Sequence, residues 1–359
     1  MNGKTVVVGM SGGVDSSVAA ALLKRQGYQV IGVMLNLWSE VGKESSNRCC
    51  TPDAMRLAKK VAAKLDIPFY TLDVRERFYQ QIVSYFVEGY QQGITPNPCI
   101  QCNRHIRWGA LFEFALSLGA DYFSTGHYAR ISQDEQGIYH LLRAKDTNKD
   151  QSYVLHVLTQ ADLSRTLFPL AELTKPEVRQ LASEFQLPVA NRVESQDLCF
   201  LSGEDYRTFL LRHMEKTAQP GAIIDTQGRL LGQHRGLAFY TIGQRKGLGI
   251  NVGQPMYVIK KDVTNNTLIV GSREETRQSH FTVARINWIR GIPTEKEFDC
   301  TVKVRYLSPF LNARVKLFED NSCHVVLAQS YWDITPGQAA VFYQGDECLG
   351  GGMIQTVLT

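Results

Sequence analysis

No stretch of this 359-residue chain approaches the roughly 20 consecutive apolar residues that a bilayer span needs. A membrane-spanning class is thereby set aside. The first residues run straight into a strand, with no apolar leader of the secretory kind. Eight cysteines without an export signal point to thiols kept reduced in a cytoplasm, not to structural bridges. Internal repeats and low-complexity segments are missing, which excludes solenoids and linker-like chains. Strong charge is missing too. The net charge is +4, divided as −1 over residues 1–205 and +5 over 206–359. A near-neutral half joined to a mildly basic half fits a polyanionic partner. With 44% hydrophobic and 21% charged residues, the chain reads as soluble and globular, with two or three domains.

What is present begins at Gly9-Met10-Ser11-Gly12-Gly13-Val14-Asp15-Ser16. The run Thr5–Val8 before it reads as a strand, and Ser17–Leu23 after it as a helix. The glycines let the backbone turn tightly and approach a ligand. The helix offers its unpaired N–H groups and positive dipole end to an anion. A Walker A loop is excluded, because no Gly-Lys-Ser/Thr follows at the required spacing. The pattern Ser-Gly-Gly-Val-Asp-Ser instead resembles the PP-loop of ATP pyrophosphatases, which cleave ATP between its α and β phosphates and adenylate a substrate. Asp15 inside this loop is a candidate contact for Mg²⁺.

Strands at 5–9, 29–37, 68–74 and 121–128 alternate with helices near 15–26, 52–65, 75–92 and 103–118. This rhythm predicts an α/β fold with a doubly wound parallel sheet and ligands at the strands' carboxyl ends. Thr174-Lys175-Pro176-Glu177 reads as a capping box opening a helix to about Phe185. Another helix is expected over 203–216. After Pro220-Gly221 the pattern turns to period two. A hairpin is expected around Asn265-Asn266. Short strands from 281 onward predict a small β-barrel. The expected domains are 1–205, 206–275 and 276–359: a PP-loop catalytic domain, a small central α+β domain and a C-terminal β-barrel.

Two cysteine sites carry chemistry. In Thr95-Pro96-Asn97-Pro98-Cys99-Ile100-Gln101-Cys102-Asn103, two prolines stiffen a loop before a helix expected to start near Asn103. A thiol beside a helix N-terminus, near Arg104, His105 and Arg107, has its thiolate favoured. The second site is Glu194-Ser195-Gln196-Asp197-Leu198-Cys199-Phe200. An isolated cysteine is otherwise a small hydrophobe. Cys300, Cys323 and Cys348 fall in expected strands and read as packing residues.

Six motifs stand in one order: Ser11–Ser16, Asn97-Pro98 with Cys102-Asn103, Gly126-His127-Tyr128, Lys149–Tyr153, Asp197 with Cys199-Phe200, and Gly243-Gln244-Arg245. Together they resemble the tRNA-specific 2-thiouridylase family over nearly the whole length, with its adenine nucleotide α-hydrolase-like fold. The resemblance implies that Gly9, Met10, Ser11, Gly12, Gly13, Val14, Asp15, Ser16, Met34 and Gly126 bind ATP. It implies catalytic roles for Cys199, carrying a persulfide, and for Cys102, its partner thiol. Asn97, Pro98 and Cys99 would line the target base. His127, Lys149, Asp150, Gln151, Arg305, Tyr306 and Gln338 would contact tRNA. The implied reaction is 2-thiolation of the wobble uridine in the anticodon stem-loop. The implied setting is a cytoplasmic monomer, supplied with sulfur by a cysteine desulfurase or sulfur-relay protein. Such chemistry is coherent. Adenylating the C2 oxygen makes it a leaving group, and the target base must leave its stack to be reached. Arg235, Arg245, Lys246 and Arg305 are candidates for phosphate contacts along the RNA. Lys149 or Arg104 is a candidate for steadying phosphate charge.

Departures from the family pattern keep alternatives open. Cys99 stands where many members have Asp, and Cys49-Cys50 is a pair that many lack. Leu307-Ser308-Pro309 follows Tyr306 in place of more polar residues. Cys99, Cys102 and Cys199 could instead hold three irons of a [4Fe–4S] cluster. A PP-loop amidating enzyme and a non-catalytic RNA- or nucleotide-binding module are the other readings. The two thiols and the intact loop weigh against both.

Overall fold

A computed structural model describes residues 3–42, 51–192, 198–201, 203–214, 219–332 and 334–358. Cys49-Cys50 and the segment Glu194–Asp197 lie outside the described residues. The N-terminal half forms a five-stranded sheet of order β3-β2-β1-β4-β7, every pairing parallel. Its strands are β1 (Thr5–Gly9), β2 (Gln29–Asn36), β3 (Phe69–Asp73), β4 (Tyr122–Ser124) and β7 (Thr166–Leu167). Val6, Val7 and Val8 have no exposed surface. A β-branched run buried on both faces belongs at the centre of a parallel sheet. β2 and β3 lie on one side of β1 and β4 on the other. That reversal opens a crevice at the carboxyl ends of β1 and β4.

The helices α1 (Val14–Arg25) and α2 (Pro52–Lys64) follow β1 and β2, and Thr51 caps α2 by accepting from Ala54 N–H. Helix α3 covers 75–91 and α4 covers 98–117. Both widen into π-turns, over Tyr79–Val83 and Asn103–Leu111. The expected start of α4 near Asn103 is corrected here. The helix begins at Pro98, because Asn97 caps it by accepting from Ile100 N–H and proline suits the first helical position. The strand expected over 121–128 ends at Ser124, leaving Gly126 and His127 in a loop. The capping box at Thr174 is present. Glu177 accepts from the Thr174 backbone N–H at 2.6 Å, and α5 (Lys175–Glu184) follows. Helix α6 (Tyr206–His213) is shorter than expected.

The central segment is a four-stranded sheet, β10 (Tyr257–Asp262), β11 (Thr267–Gly271), β8 (Gly221–Asp225) and β9 (Leu230–His234). The expected hairpin at Asn265-Asn266 joins β10 to β11, with Asp262 opposite Thr267. The C-terminal strands are β12 (Gln278–Trp288), β13 (Glu297–Lys303), β14 (Leu311–Leu317), β15 (Cys323–Tyr331), β16 (Ala339–Gln344) and β17 (Glu347–Leu358). They close into a six-stranded antiparallel barrel through β12–β17 pairing. Cys323 is buried inside it, and Cys348 is buried where the barrel packs on the N-terminal half. The hairpin β5 (Arg130–Gln133) and β6 (Tyr139–Leu142) comes from the N-terminal half, yet β6 pairs with β17 through Leu141–Cys348 and Leu142–Glu347. One sheet therefore runs from the barrel into the catalytic half.

Lys261 is 9% exposed in β10, where its ammonium donates to Tyr240 O at 3.1 Å. Burial pushes its pKa down to about 8. The folded protein then loses this proton before the unfolded chain does, so Lys261 adds stability as pH rises from about 8 to 10.5. The unfolding free energy of Lys261→Met minus that of the native protein is expected to fall by about 3 kcal/mol across this window. Urea titrations at several pH values measure it. A difference that stays flat would mean that Lys261 is not held desolvated.

Candidate active site

The phosphate loop leaves β1 with Gly12 at φ +67°. A Cβ at Gly12 would lie 2.3 Å from the carbonyl oxygen of Ala54, so conformation and space both demand glycine. The Ser16 hydroxyl accepts from Ser11 N–H at 3.2 Å, and the Ser17 hydroxyl donates to Gly13 O at 2.7 Å. Arg192 donates to Gly12 O from outside the loop. These bonds shape a collar around the N-terminus of α1, where N–H groups and dipole favour an anion. Gly126 brings the end of β4 onto the same turn. Its Cβ would stand 2.6 Å from Ser16 N and 2.7 Å from Asp15 C. Met34 stands at the carboxyl end of β2, one residue past the Gly9–Val33 pairing. The residues expected to bind ATP thus meet at one crevice.

Asp15 is not empty-handed there. Lys175 donates to both its carboxylate oxygens at 2.6 and 2.8 Å, and the Tyr128 hydroxyl donates to Oδ1 at 2.9 Å. The Asp15 side chain keeps 31% exposure. A carboxylate with open surface is a hard oxygen donor that fits Mg²⁺, with phosphates and water completing the shell. Sequence reasoning read Lys175 as part of a cap and missed this reach. Its signal was a lysine at the first turn of a helix, which is an unfavourable place for a cation.

With α4 starting at Pro98, Cys99 lies in its first turn and is exposed. Cys102 is a turn deeper and buried, so the dipole acts on it less than the sequence suggested. Cys199 opens a short turn, Cys199–Leu201, and is half-buried. Cys102 belongs to an apolar cluster with Phe78, Phe86 and Phe200, and Cys199 packs against that cluster. Residues nearly a hundred apart in sequence thus contribute to one apolar cluster. Among the described residues no three His, Cys, Asp or Glu side chains are arranged to hold a metal. The cluster alternative on Cys99, Cys102 and Cys199 rests on sequence alone.

The barrel reaches this loop from above. Thr95 N–H donates to Pro336 O at 2.9 Å, and the Gln338 amide donates to Thr95 O at 2.9 Å and Pro96 O at 3.4 Å. Gln338 thus holds the Pro-rich loop in place. Arg305 donates to Thr335 at 2.6 Å and to Ile242 O at 3.4 Å, tying the barrel to a loop of the central segment. Tyr306 packs against Tyr153 with the rings tilted at 59° and 6.1 Å apart; burial raises its pKa, with Asp150 and Cys99 adding to the rise. Asp150 is 8% exposed and accepts from Ala144 N–H and from the Ser152 hydroxyl. Gln151 accepts from Tyr128 N–H. Lys149 is half-buried beside them. His127 is buried against Trp108 with Thr125 on its Nδ1 at 2.7 Å. Burial first, then Arg107, keeps it well below the usual histidine range and so neutral. Arg235, Arg245 and Lys246 are exposed. The Gln244 side chain accepts from Thr241 N–H and donates to Lys246 O, which fixes the turn displaying them.

Three family models match in succession. Residues 4–203 match the tRNA methyl transferase HUP domain, 207–272 the tRNA methyl transferase PRC-barrel domain, and 278–354 the aminomethyltransferase beta-barrel domain. The chain is 48% identical over 351 residues to the tRNA-specific 2-thiouridylase MnmA of Chloroflexus aggregans, covering 97% of this chain and 98% of that one. It is 46% identical over 354 residues to the protein of that name from Moorella thermoacetica, covering 98% and 99%. With that from Natranaerobius thermophilus it shares 44% identity over 365 residues.

Proposed function

The chain belongs to the tRNA-specific 2-thiouridylase family, and we propose that it carries out the family's reaction: ATP-dependent 2-thiolation of the wobble uridine of tRNA. The observation that carries this reading is the pairing of a phosphate collar at the β1–β4 crevice with Cys102 and Cys199 in one cluster at the edge of the same domain. Neither half is needed without the other. The collar serves activation, and the thiols serve sulfur delivery.

In the first step the uridine C2 oxygen attacks the α phosphorus of ATP. The α–β bond breaks, and its electron pair leaves with pyrophosphate, held by the loop N–H groups. The Asp15 carboxylate would hold Mg²⁺, which supplies charge neutralisation at the phosphates. In the second step the terminal sulfur of a Cys199 persulfide attacks C2 and AMP departs. The Cys102 thiolate then attacks Cys199 Sγ. The S–S bond to the transferred sulfur breaks, leaving that sulfur on C2 and a Cys102–Cys199 disulfide. A thiol reductant and a persulfide donor, such as a cysteine desulfurase or relay protein, reset the pair. Asn97, Pro98 and Cys99 are assigned to the lining of the extruded base, and Tyr306 to a tRNA contact. The exposed Arg235, Arg245 and Lys246 grip the phosphates of the stem. Asp150, Gln151 and Gln338 act from behind by shaping the loops that face the RNA. Among the described residues no helix is long and apolar enough to cross a membrane.

Mass spectrometry of nucleosides tests this reading. Unmodified tRNA incubated with the protein, ATP, Mg²⁺ and a persulfide donor is expected to yield 2-thiouridine and one AMP per sulfur. Pyrophosphate release that needs some other acceptor, with no thiolated nucleoside, would overturn it.

A further inference from the structure

Two distant chain segments converge on Asp15, and one of them brings a charge. Lys175 is the first residue of α5, and its backbone N–H donates to Asp146 at 2.9 Å. Its side chain is 8% exposed and ends on both oxygens of Asp15. Tyr128 donates to the same carboxylate, and the Lys175 ammonium lies 6.0 Å from the Tyr128 ring. Gly126 fixes the distance, since its missing Cβ would lie 3.0 Å from Asp15 Cβ.

A purely structural bridge is a poor explanation of this arrangement. A surface ion pair contributes little, and burying a lysine carries a desolvation penalty that a well-packed apolar pair would avoid. Position adds a second point. A loop that binds a polyanion gains from a nearby cation, whereas the Asp15 carboxylate repels phosphate. Lys175 cancels that repulsion at the mouth of the collar. Its backbone is locked by the Thr174–Glu177 box, so its four-carbon stem is the part free to turn.

We propose that Lys175 is a phosphate-contacting catalytic residue of the adenylation step. It rests on Asp15 before nucleotide enters and moves its ammonium to the β-phosphate oxygens when ATP occupies the loop. Asp15 is thereby released to the metal, with Tyr128 still holding one oxygen. Negative charge develops on pyrophosphate as the α–β bond breaks, and Lys175 neutralises it there without bond formation or proton transfer. The proposal rests on the ATP-dependent reading above.

The test is calorimetric binding of α,β-methylene-ATP and of inorganic pyrophosphate to the full chain, with and without Mg²⁺. Lys175→Met is expected to weaken both by roughly 10- to 100-fold while tRNA affinity stays within about twofold. The charge-balanced pair Asp15→Asn with Lys175→Met removes both partners of the bridge. Its melting temperature is expected to return toward native, yet its pyrophosphate affinity stays low. Asp15→Asn alone is expected to keep metal-free pyrophosphate binding and lose the Mg²⁺ enhancement. Lys175→Met binding pyrophosphate within threefold of native, or full recovery in the double variant, would make the bridge a strut and end the proposal. Should the single variant fail to fold, the double variant decides alone. A native protein that binds neither nucleotide nor pyrophosphate overturns the ATP reading itself, whereas a native protein that binds both but makes no 2-thiouridine overturns only the choice of acceptor.

Discussion

Cys199→Ser is expected to abolish 2-thiouridine formation, by roughly 10³-fold or more, and to leave tRNA affinity within about twofold. A hydroxyl cannot carry a persulfide, so no residual route passes through position 199. Affinity survives because, on the proposed reading, it comes from phosphate contacts spread over the exposed cations of the central segment. Cys199 itself is half-buried against an aromatic cluster, and serine is close to it in size. Nucleoside analysis and a filter-binding titration on the same preparation separate the two quantities. A tenfold fall in tRNA affinity would instead assign Cys199 a structural role, with the thiol shaping the surface that meets the anticodon. Pyrophosphate release should persist in this variant, because activation precedes sulfur delivery.

Gly126→Ala carries the second large effect. The added methyl would enter within 2.6 Å of Ser16 N and 2.7 Å of Asp15 C, which are backbone atoms of the helix start. Backbone cannot rotate aside as a flexible side chain can. Either β4 or the first turn of α1 must shift, and the N–H groups aimed at phosphate shift with it. A loss of nucleotide affinity of roughly 100-fold is expected, together with a lower melting temperature. His127 beside it packs against Trp108 of α4, so the displacement also reaches α4, and tRNA affinity is measured alongside. Native-like nucleotide binding in Gly126→Ala would show that the β4 loop yields without disturbing the collar.

Strand and helix periodicity placed β1, β2, β3, α1 and α2 within a residue or two of their observed ends. These elements are local. A valine run buried on both faces, or an amphipathic stripe after a cap, reports its own environment through composition. The start of α4 was misplaced by five residues because the Pro-rich stretch reads as an extended loop, while Asn97 and Pro98 together form a cap and first turn. That error moved the thiols. Cys99, not Cys102, occupies the dipole end of the helix. The hairpin β5–β6 went unread because its partner strand lies some 200 residues downstream, and an edge strand carries little signal of what it will pair with.

The chain's own letters determined the phosphate loop, the parallel sheet that presents it and the barrel, because each is encoded in contiguous residues with their own steric and periodic logic, whereas the proposed sulfur roles of Cys102 and Cys199 rest on the family resemblance. Tertiary structure alone decided that Lys175 and Tyr128 close on Asp15, that Gln338 pins the Pro-rich loop, and that Cys102 and Cys199 share one cluster. Those contacts join residues separated by roughly 100 to 240 positions, and nothing in the spacing of a sequence records which distant side chains a folded sheet will bring together.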